Sequence, residues 1–139
     1  MKKVKIVINV CFGGFGLSNE ADLLYAEKSG FKLFHYIKDG VDGYYRRAKL
    51  DELSSISCSS FKSDHGDNFN GFPEDGSYWY SGDIDRDDPV LVEVVEELGT
   101  KANGFCAELK VVEIPDGVDW EIDEYDGNES IEEVHSSWR

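Results

Sequence analysis

The hydrophobic pattern at the start of the chain predicts a strand, a helix and a second strand. Residues 4–10 are rich in β-branched side chains with little alternation, which is typical of a strand covered on both faces. Ser18 is a suitable N-cap for a helix over about 19–29, and Gly30 is suited to end it. Residues 31–37 then have the composition of a strand. Such a strand–loop–helix–strand unit favours parallel pairing of its two strands.

The pattern from residue 88 to residue 99 predicts an amphipathic second helix. Asp88 is a suitable N-cap and Pro89 a suitable first helical residue, whereas Gly99 is suited to end the helix. Between them, apolar residues recur at intervals of three and four, and glutamates occupy the opposite side. The apolar stripe consists of Leu91, Val94, Val95 and Leu98.

The C-terminal part of the chain predicts a hairpin and a short acidic helix. Residues 109–114 read as a strand, and a turn follows at Pro115-Asp-Gly-Val. Residues 118–123 alternate apolar with acidic side chains, so we expect them to pair with 109–114 and to expose one face to water. A further turn at Asp126-Gly-Asn leads to the predicted helix, which continues to about residue 136.

The middle of the chain has no regular periodicity. Residues 44–50 fit a strand or a helical turn equally well. Residues 51–83 have the serine and glycine content of a loop or insertion. Because six aromatic residues would be costly to expose together, we expect an ordered loop, with at most one short hairpin, that covers the core or a partner. These residues are Phe61, Phe69, Phe72, Tyr78, Trp79 and Tyr80.

Together these elements predict one α/β domain spanning 1–139, with an α+β arrangement as the alternative. A length of 139 residues is ordinary for a single domain. We expect a small mixed sheet of about four to five strands, a β-loop-α-β opening, a C-terminal hairpin, two main helices and a long aromatic loop.

The charge of the chain is strongly polarised. The formal net charge is −15, but residues 1–50 carry +4 and the remaining residues carry −19. So acidic a chain is not expected to bind nucleic-acid backbone, and it favours a partner with a basic surface. No apolar run approaches the roughly 20 residues of a membrane-spanning helix, and the N-terminus is a poor signal peptide. We therefore expect a cytoplasmic protein without membrane contact.

The cysteines and acidic loops predict neither a disulfide framework nor a metal site. Cys11, Cys58 and Cys106 are too few and odd in number for such a framework, and they form no C-x-x-C pair. Residues 83–88 have acids at alternate positions, but they lack the glycine and the final glutamate of a calcium loop. No metal or cofactor is predicted.

The glycine-rich segment Gly13-Gly-Phe-Gly16 is a candidate site for a nucleotide or another phosphorylated ligand. It lies between a predicted strand and a helix N-terminus, where backbone N–H groups can approach an anion. The alternative is a tight turn that needs positive φ, since neither common phosphate-binding motif is present. The candidate ligand-binding residues are Gly13, Gly14, Gly16 and Ser18, with Arg46, Arg47 or Arg86 as charge partners.

Cys11 is the weak candidate for catalysis. A thiol in front of a helix N-terminus can have a lowered pKa, but a cysteine nucleophile also needs a base. The pairing that the sequence offers is His135 with Glu129 or Asp126. The alternative is a small buried hydrophobic residue, and we expect a protein that is not an enzyme.

The acidic C-terminal segment is the candidate for partner binding. On a strand, Asp119, Glu121 and Asp123 share one face at about 6.6 Å spacing, which resembles successive phosphates. Such a face can imitate a nucleic-acid backbone in a basic groove. The alternative is a solvated sheet face, partly neutralised by Lys2, Lys3 and Lys5. Asp126, Tyr78 and Trp79 complete the predicted contact residues.

Two blocks of sequence carry a family resemblance. The first is KIVINVCFGGFGLS at residues 5–18, and the second is AELKVVEIPDGVDWEIDEYDG at residues 107–127, with shorter matching strings at 86–89 and 94–99. The chain resembles a family of small, mostly uncharacterised proteins encoded in bacteriophage and prophage genomes. The resemblance implies an accessory protein that inhibits or sequesters a host component, such as a defence factor, in the host cytoplasm. Residues 51–82 lie outside it.

Overall fold

The computed structural model describes residues 3–40 and 43–134. Within them the chain forms two helices and nine strands, which confirms a small α/β fold. The elements are β1 (Lys3–Asn9), α1 (Asn19–Ser29), β2 (Phe34–Lys38), β3 (Tyr44–Arg47), β4 (Ser59–Phe61), β5 (Asn68–Asn70), β6 (Tyr78–Trp79), α2 (Pro89–Leu98), β7 (Leu109–Pro115), β8 (Trp120–Tyr125) and β9 (Asn128–Glu133). Short 3₁₀ turns lie at Leu50–Glu52, Ser81–Asp83 and Gly99–Ala102.

Both helices have the predicted boundaries because their capping signals are local. The Ser18 hydroxyl accepts a hydrogen bond from the Ala21 N–H at 3.1 Å, and Gly30 ends α1 at a φ of 87°. The Asp88 carboxylate accepts from the Val90 N–H at 2.8 Å at the start of α2. The predicted apolar stripe of α2 faces the core.

The first strand pairs with β7, not with β2. The β1–β7 pair is antiparallel over seven residues, from Lys3 opposite Pro115 to Asn9 opposite Leu109. The predicted parallel pairing of 4–10 with 31–37 is therefore wrong. The long apolar strand β7 offers β1 a full-length partner, whereas β2 pairs in another sheet. On its other side, the Val7 N–H donates to the Arg86 carbonyl at 2.9 Å.

The middle of the chain builds most of a five-stranded antiparallel sheet in the order β5-β3-β2-β4-β6. Residues 44–47 are a strand, which settles the open alternative there. Residues 51–83 contribute three strands, more than the single hairpin expected. These strands are only two or three residues long, too short to show a period. They are held by an aromatic cluster in which Tyr36 and Phe61 are fully buried.

The C-terminal hairpin has a different pairing from the predicted one. β8 pairs with β9, from Trp120 opposite Glu133 to Tyr125 opposite Asn128, and residues 128–133 are a strand, not a helix. Asp126 and Gly127 form the turn with φ values of 51° and 88°. Asp-Gly is a strong signal for a two-residue hairpin turn, and this signal takes precedence over helix formation.

The main hydrophobic core lies between the β1–β7 pair and the two helices. Its buried residues are Val7, Leu17, Ala21, Leu91, Val92, Val94, Val95 and Ala102. Across the described residues, neither helix is long and apolar enough to cross a membrane.

Candidate functional site

The β8–β9 hairpin carries an unneutralised acidic face. Glu121 lies directly opposite Glu132, and Asp123 follows on the same side of β8. Asp119 is exposed immediately before the strand. Like charges on opposed residues destabilise a sheet, so this arrangement does not serve the stability of the hairpin. None of the ion pairs in residues 3–40 and 43–134 involves these four side chains. We call Asp119, Glu121, Asp123 and Glu132 the acidic face.

Lys5 of β1 does not neutralise the acidic face. Lys5 forms an ion pair with Glu96 of α2 at 2.8 Å, and it lies opposite Glu113 in the β1–β7 pair. These contacts raise the pKa of Lys5, first through its hydrogen bond to Glu96. Lys2 lies outside the described residues. The alternative in which Lys5 helps to neutralise the hairpin is therefore not supported.

An exposed aromatic pair lies at the tip of the hairpin. Phe12 and Tyr125 are 68% and 77% exposed, and their rings meet edge to face with centroids 6.4 Å apart. Asp126, in the turn, is exposed beside them. Large exposed aromatic residues next to charged groups are typical of protein-binding surfaces.

Buried polar contacts hold the hairpin against β1. The two terminal guanidinium nitrogens of Arg86, Nη1 and Nη2, donate to the Glu129 carboxylate at 2.6 and 2.9 Å. Glu129 is buried and also accepts from the Asn9 N–H at 2.8 Å. The Asn9 side chain donates to the Gly127 carbonyl at 2.7 Å. The Arg86 guanidinium further lies 3.7 Å from the ring centre of Phe15.

Gly13 packs tightly against protein backbone, whereas Gly14 and Gly16 border a cavity described below. A Cβ at Gly13 would overlap the Cys106 carbonyl oxygen. The Gly16 carbonyl accepts from Gly104 N–H at 3.0 Å, and a Cβ at Gly127 would lie 2.8 Å from Gly14 N. Gly14 has a φ of 141°, a backbone conformation that residues other than glycine rarely adopt. These contacts favour the interpretation as a tight turn.

The other residues proposed for a phosphate site form hydrogen bonds or ion pairs within the protein. Ser18 caps α1 and donates its hydroxyl to the Lys101 carbonyl at 2.6 Å. Arg86 is paired with Glu129, and Arg46 with Glu52 through two bonds of 2.8 Å. Arg47 pairs with Asp64. The structure therefore places Arg46 and Arg47 in ion pairs of the five-stranded sheet.

The candidate catalytic residues are not assembled around Cys11. The Cys11 thiol contacts the Asn9 side chain and the Cys106 carbonyl, each at 3.3 Å. Glu129 forms an ion pair with Arg86. His135 lies outside the described residues. Within the described part of the chain, no group of three or more metal-ligating side chains is placed to hold a metal ion.

A cavity of about 300 Å³ lies between the start of α1 and the five-stranded sheet. Its buried polar lining consists of Asn19, Asp22, Ser60 and Ser81. The predicted contact residues Tyr78 and Trp79 line this cavity, with Tyr80 and Phe105. Trp79 also packs on Tyr25 at 5.9 Å between ring centres. We call this space the Asp22 cavity.

Asp22 is the most perturbed group of the cavity. It is 7% exposed, and its Oδ1 has no hydrogen-bond partner among the described residues. Burial raises the pKa of Asp22 to about 8. The neighbouring Cys58 thiol also has its pKa raised by burial, to about 11, so it is not an activated nucleophile.

Sequence reasoning missed the Asp22 cavity. Glu20 and Asp22 both fall in the first turn of α1, where a carboxylate complements the positive end of the helix, so this position is accounted for without a cavity. A usable signal was present: Asp22 is adjacent to Ala21 and one turn before Ala26, both on the buried side. The partners that close the cavity come from the middle of the chain.

Comparison of the chain with protein-family models, curated proteins and solved structures finds no match. The geometry of the chain's own residues therefore carries the functional proposal.

Proposed function

We propose that this protein acts by binding a basic surface on another protein through the acidic face and the Phe12–Tyr125 pair. The observation that carries the proposal is the opposition of Glu121 and Glu132 without a neutralising partner among the described residues. A partner that supplies positive charge would relieve this repulsion, and the aromatic pair would supply apolar contact.

The hairpin is held in place before it meets a partner. The Arg86–Glu129 pair and the Asn9–Gly127 hydrogen bond connect it to β1. A surface that is already ordered loses little conformational entropy on binding, which favours affinity. Its strand spacing of about 6.6 Å between alternate acids supports imitation of a phosphate backbone.

The resemblance to bacteriophage and prophage proteins suggests the identity of the partner. A small acidic protein of phage origin would inhibit or sequester a host protein that normally binds nucleic acid, such as a defence factor. We therefore place the proposed partner in the cytoplasm of the bacterial host.

The test is a triple variant, Asp119→Asn, Glu121→Gln and Asp123→Asn. It removes three charges without changing side-chain shape. Affinity for a partner isolated from bacterial lysate should fall at least about tenfold, and its dependence on salt should flatten, because charge steers association. The measurement is surface plasmon resonance across a salt series.

A matched control removes three exposed acids elsewhere, by Asp51→Asn, Glu74→Gln and Asp87→Asn. The control changes the net charge equally but leaves the acidic face intact, so it should bind like the natural protein. Equal loss in both variants would indicate a general effect of net charge, and unchanged binding in both would refute the proposal.

A further inference from the structure

The Asp22 cavity combines a buried carboxyl group with exposed aromatic walls. Asp22 and Asn19 lie on the first turns of α1, and Ser60 comes from β4. Asn19 donates to the Leu53 and Ile56 carbonyls at 2.9 and 2.7 Å, which fixes the segment that closes one side. Toward solvent, the lining is aromatic: Tyr78, Tyr80 and Phe105 are 47%, 53% and 57% exposed.

The charge of the lining selects one class of ligand. Asp22 is the ionisable carboxyl group of the lining, and no Lys, Arg or His of the described residues lines the cavity. An anion would find no positive side chain there. A cation would find a carboxyl group without a hydrogen-bond partner, serine hydroxyl oxygens and aromatic rings, all of which interact favourably with positive charge.

We propose that the Asp22 cavity binds a compact organic cation, with its ammonium or guanidinium group at the Asp22 carboxyl and its carbon chain against Tyr78, Tyr80 and Phe105. The volume of about 300 Å³ is at the small end of ligand pockets and suits a ligand of this size. The cavity lining contains none of the four residues of the acidic face, so the site can be tested without the proposed partner.

Binding of the cation is coupled to a proton. The free protein holds Asp22 in the acid form at neutral pH, since burial raises its pKa to about 8. The bound cation already carries its own proton, so Asp22 ionises and releases one proton to solvent. Affinity should therefore rise about tenfold per pH unit up to about pH 8 and then level off.

The groups that face Asp22 do not titrate in the same range. Cys58 and Tyr78 interact with Asp22, and burial raises the pKa of both, that of Cys58 to about 11. Both are neutral from pH 6 to pH 9. Up to about pH 8, where ordinary thiols are also neutral, the pH dependence of binding therefore reports on Asp22.

The experiment is titration calorimetry of the full chain with agmatine, which carries a guanidinium and an amine, at pH 6, 7, 8 and 9. Two arms distinguish the source of the cation: free agmatine, and a short peptide that presents one arginine side chain. Binding of agmatine alone would indicate a small-molecule site. Binding of the peptide would indicate that a partner's side chain occupies the cavity.

Two variants and one control decide the outcome. Asp22→Asn should lower agmatine affinity at pH 8 by at least about tenfold and remove the pH dependence. Tyr80→Ala, at the exposed side of the cavity, should weaken binding several-fold without disturbing the core. Asp51→Asn, which removes an exposed charge elsewhere, should bind normally.

Three results would overturn the proposal. They are failure of both agmatine and the peptide to bind at millimolar concentration, equal affinity in Asp22→Asn and the natural protein, or tighter binding of AMP than of agmatine. A loss of acidic-face binding in the triple variant leaves these results unaffected, so the two proposals fail separately.

Discussion

Asp22 should make the stability of the protein depend on pH between about pH 4 and pH 8. It is 7% exposed on α1, and its Oδ1 makes no hydrogen bond within the described residues. Burial raises its pKa from 3.8 to about 8. The folded protein therefore keeps a proton at neutral pH that the unfolded chain releases near pH 4.

The sign follows from proton counting. Between pH 4 and pH 8 the folded state binds one proton more than the unfolded state, so the free energy of unfolding falls as pH rises. The slope is about 1.4 kcal/mol per pH unit, which amounts to about 4 kcal/mol between pH 5 and pH 8. Above about pH 8, this loss is complete.

The variant Asp22→Asn removes the titration and keeps the shape of the side chain. Because asparagine is neutral throughout, the variant should match the natural protein near pH 5 and exceed its stability by about 4 kcal/mol at pH 8. Urea denaturation of both proteins at each pH unit gives the free energies. Subtracting the free energy of unfolding of one protein from that of the other at each pH cancels the contribution of groups distant from Asp22. One of these groups is His35, whose pKa burial lowers to about 4.

Parallel curves for the two proteins from pH 5 to pH 8 would refute this reasoning. They would mean that Asp22 is ionised in the folded protein and that burial does not govern its pKa. The Asp51→Asn control, at an exposed position, should run parallel to the natural protein in the same assay.

Two further predictions concern the attachment of the hairpin. Glu129→Gln leaves the partly buried Arg86 without its charge partner and should cost about 3 kcal/mol in urea denaturation, whereas unchanged stability would show that the pair contributes nothing. Gly13→Ala places a methyl group against the Cys106 carbonyl and should lower the thermal midpoint by several degrees; an equal or higher midpoint would show that the loop can move aside.

Local signals predicted the helices, whereas strand partners depended on distant sequence. Ser18, Gly30, Asp88 and Gly99 act within a few residues, so the boundaries of α1 and α2 were readable. The partner of β1 lies about one hundred residues away, and apolar character alone did not distinguish β7 from β2. The α/β class was predictable although the pairing was not.

The acidic face was partly predictable from local sequence, whereas the Asp22 cavity depends on residues that are distant in sequence. Alternation along β8 revealed which acids share a side, since a strand has a period of two. The cross-strand partner Glu132 was missed, because residues 128–133 were interpreted as a helix. The neighbouring Ala21 indicated the buried side of α1, but the cavity itself was not predictable, since its other walls come from residues 57–60 and 78–81, whose strands are too short for a pattern.

The pairing of the first strand with β7 has a consequence for how the chain folds. During synthesis, β1 leaves the ribosome before its hydrogen-bonding partner β7, which follows about one hundred residues later. Until then Ile6, Val7 and Ile8, all buried in the final fold, have no sheet to join. Contacts this distant in sequence close slowly, so β1 stays open to aggregation and to chaperone binding until β7 is available.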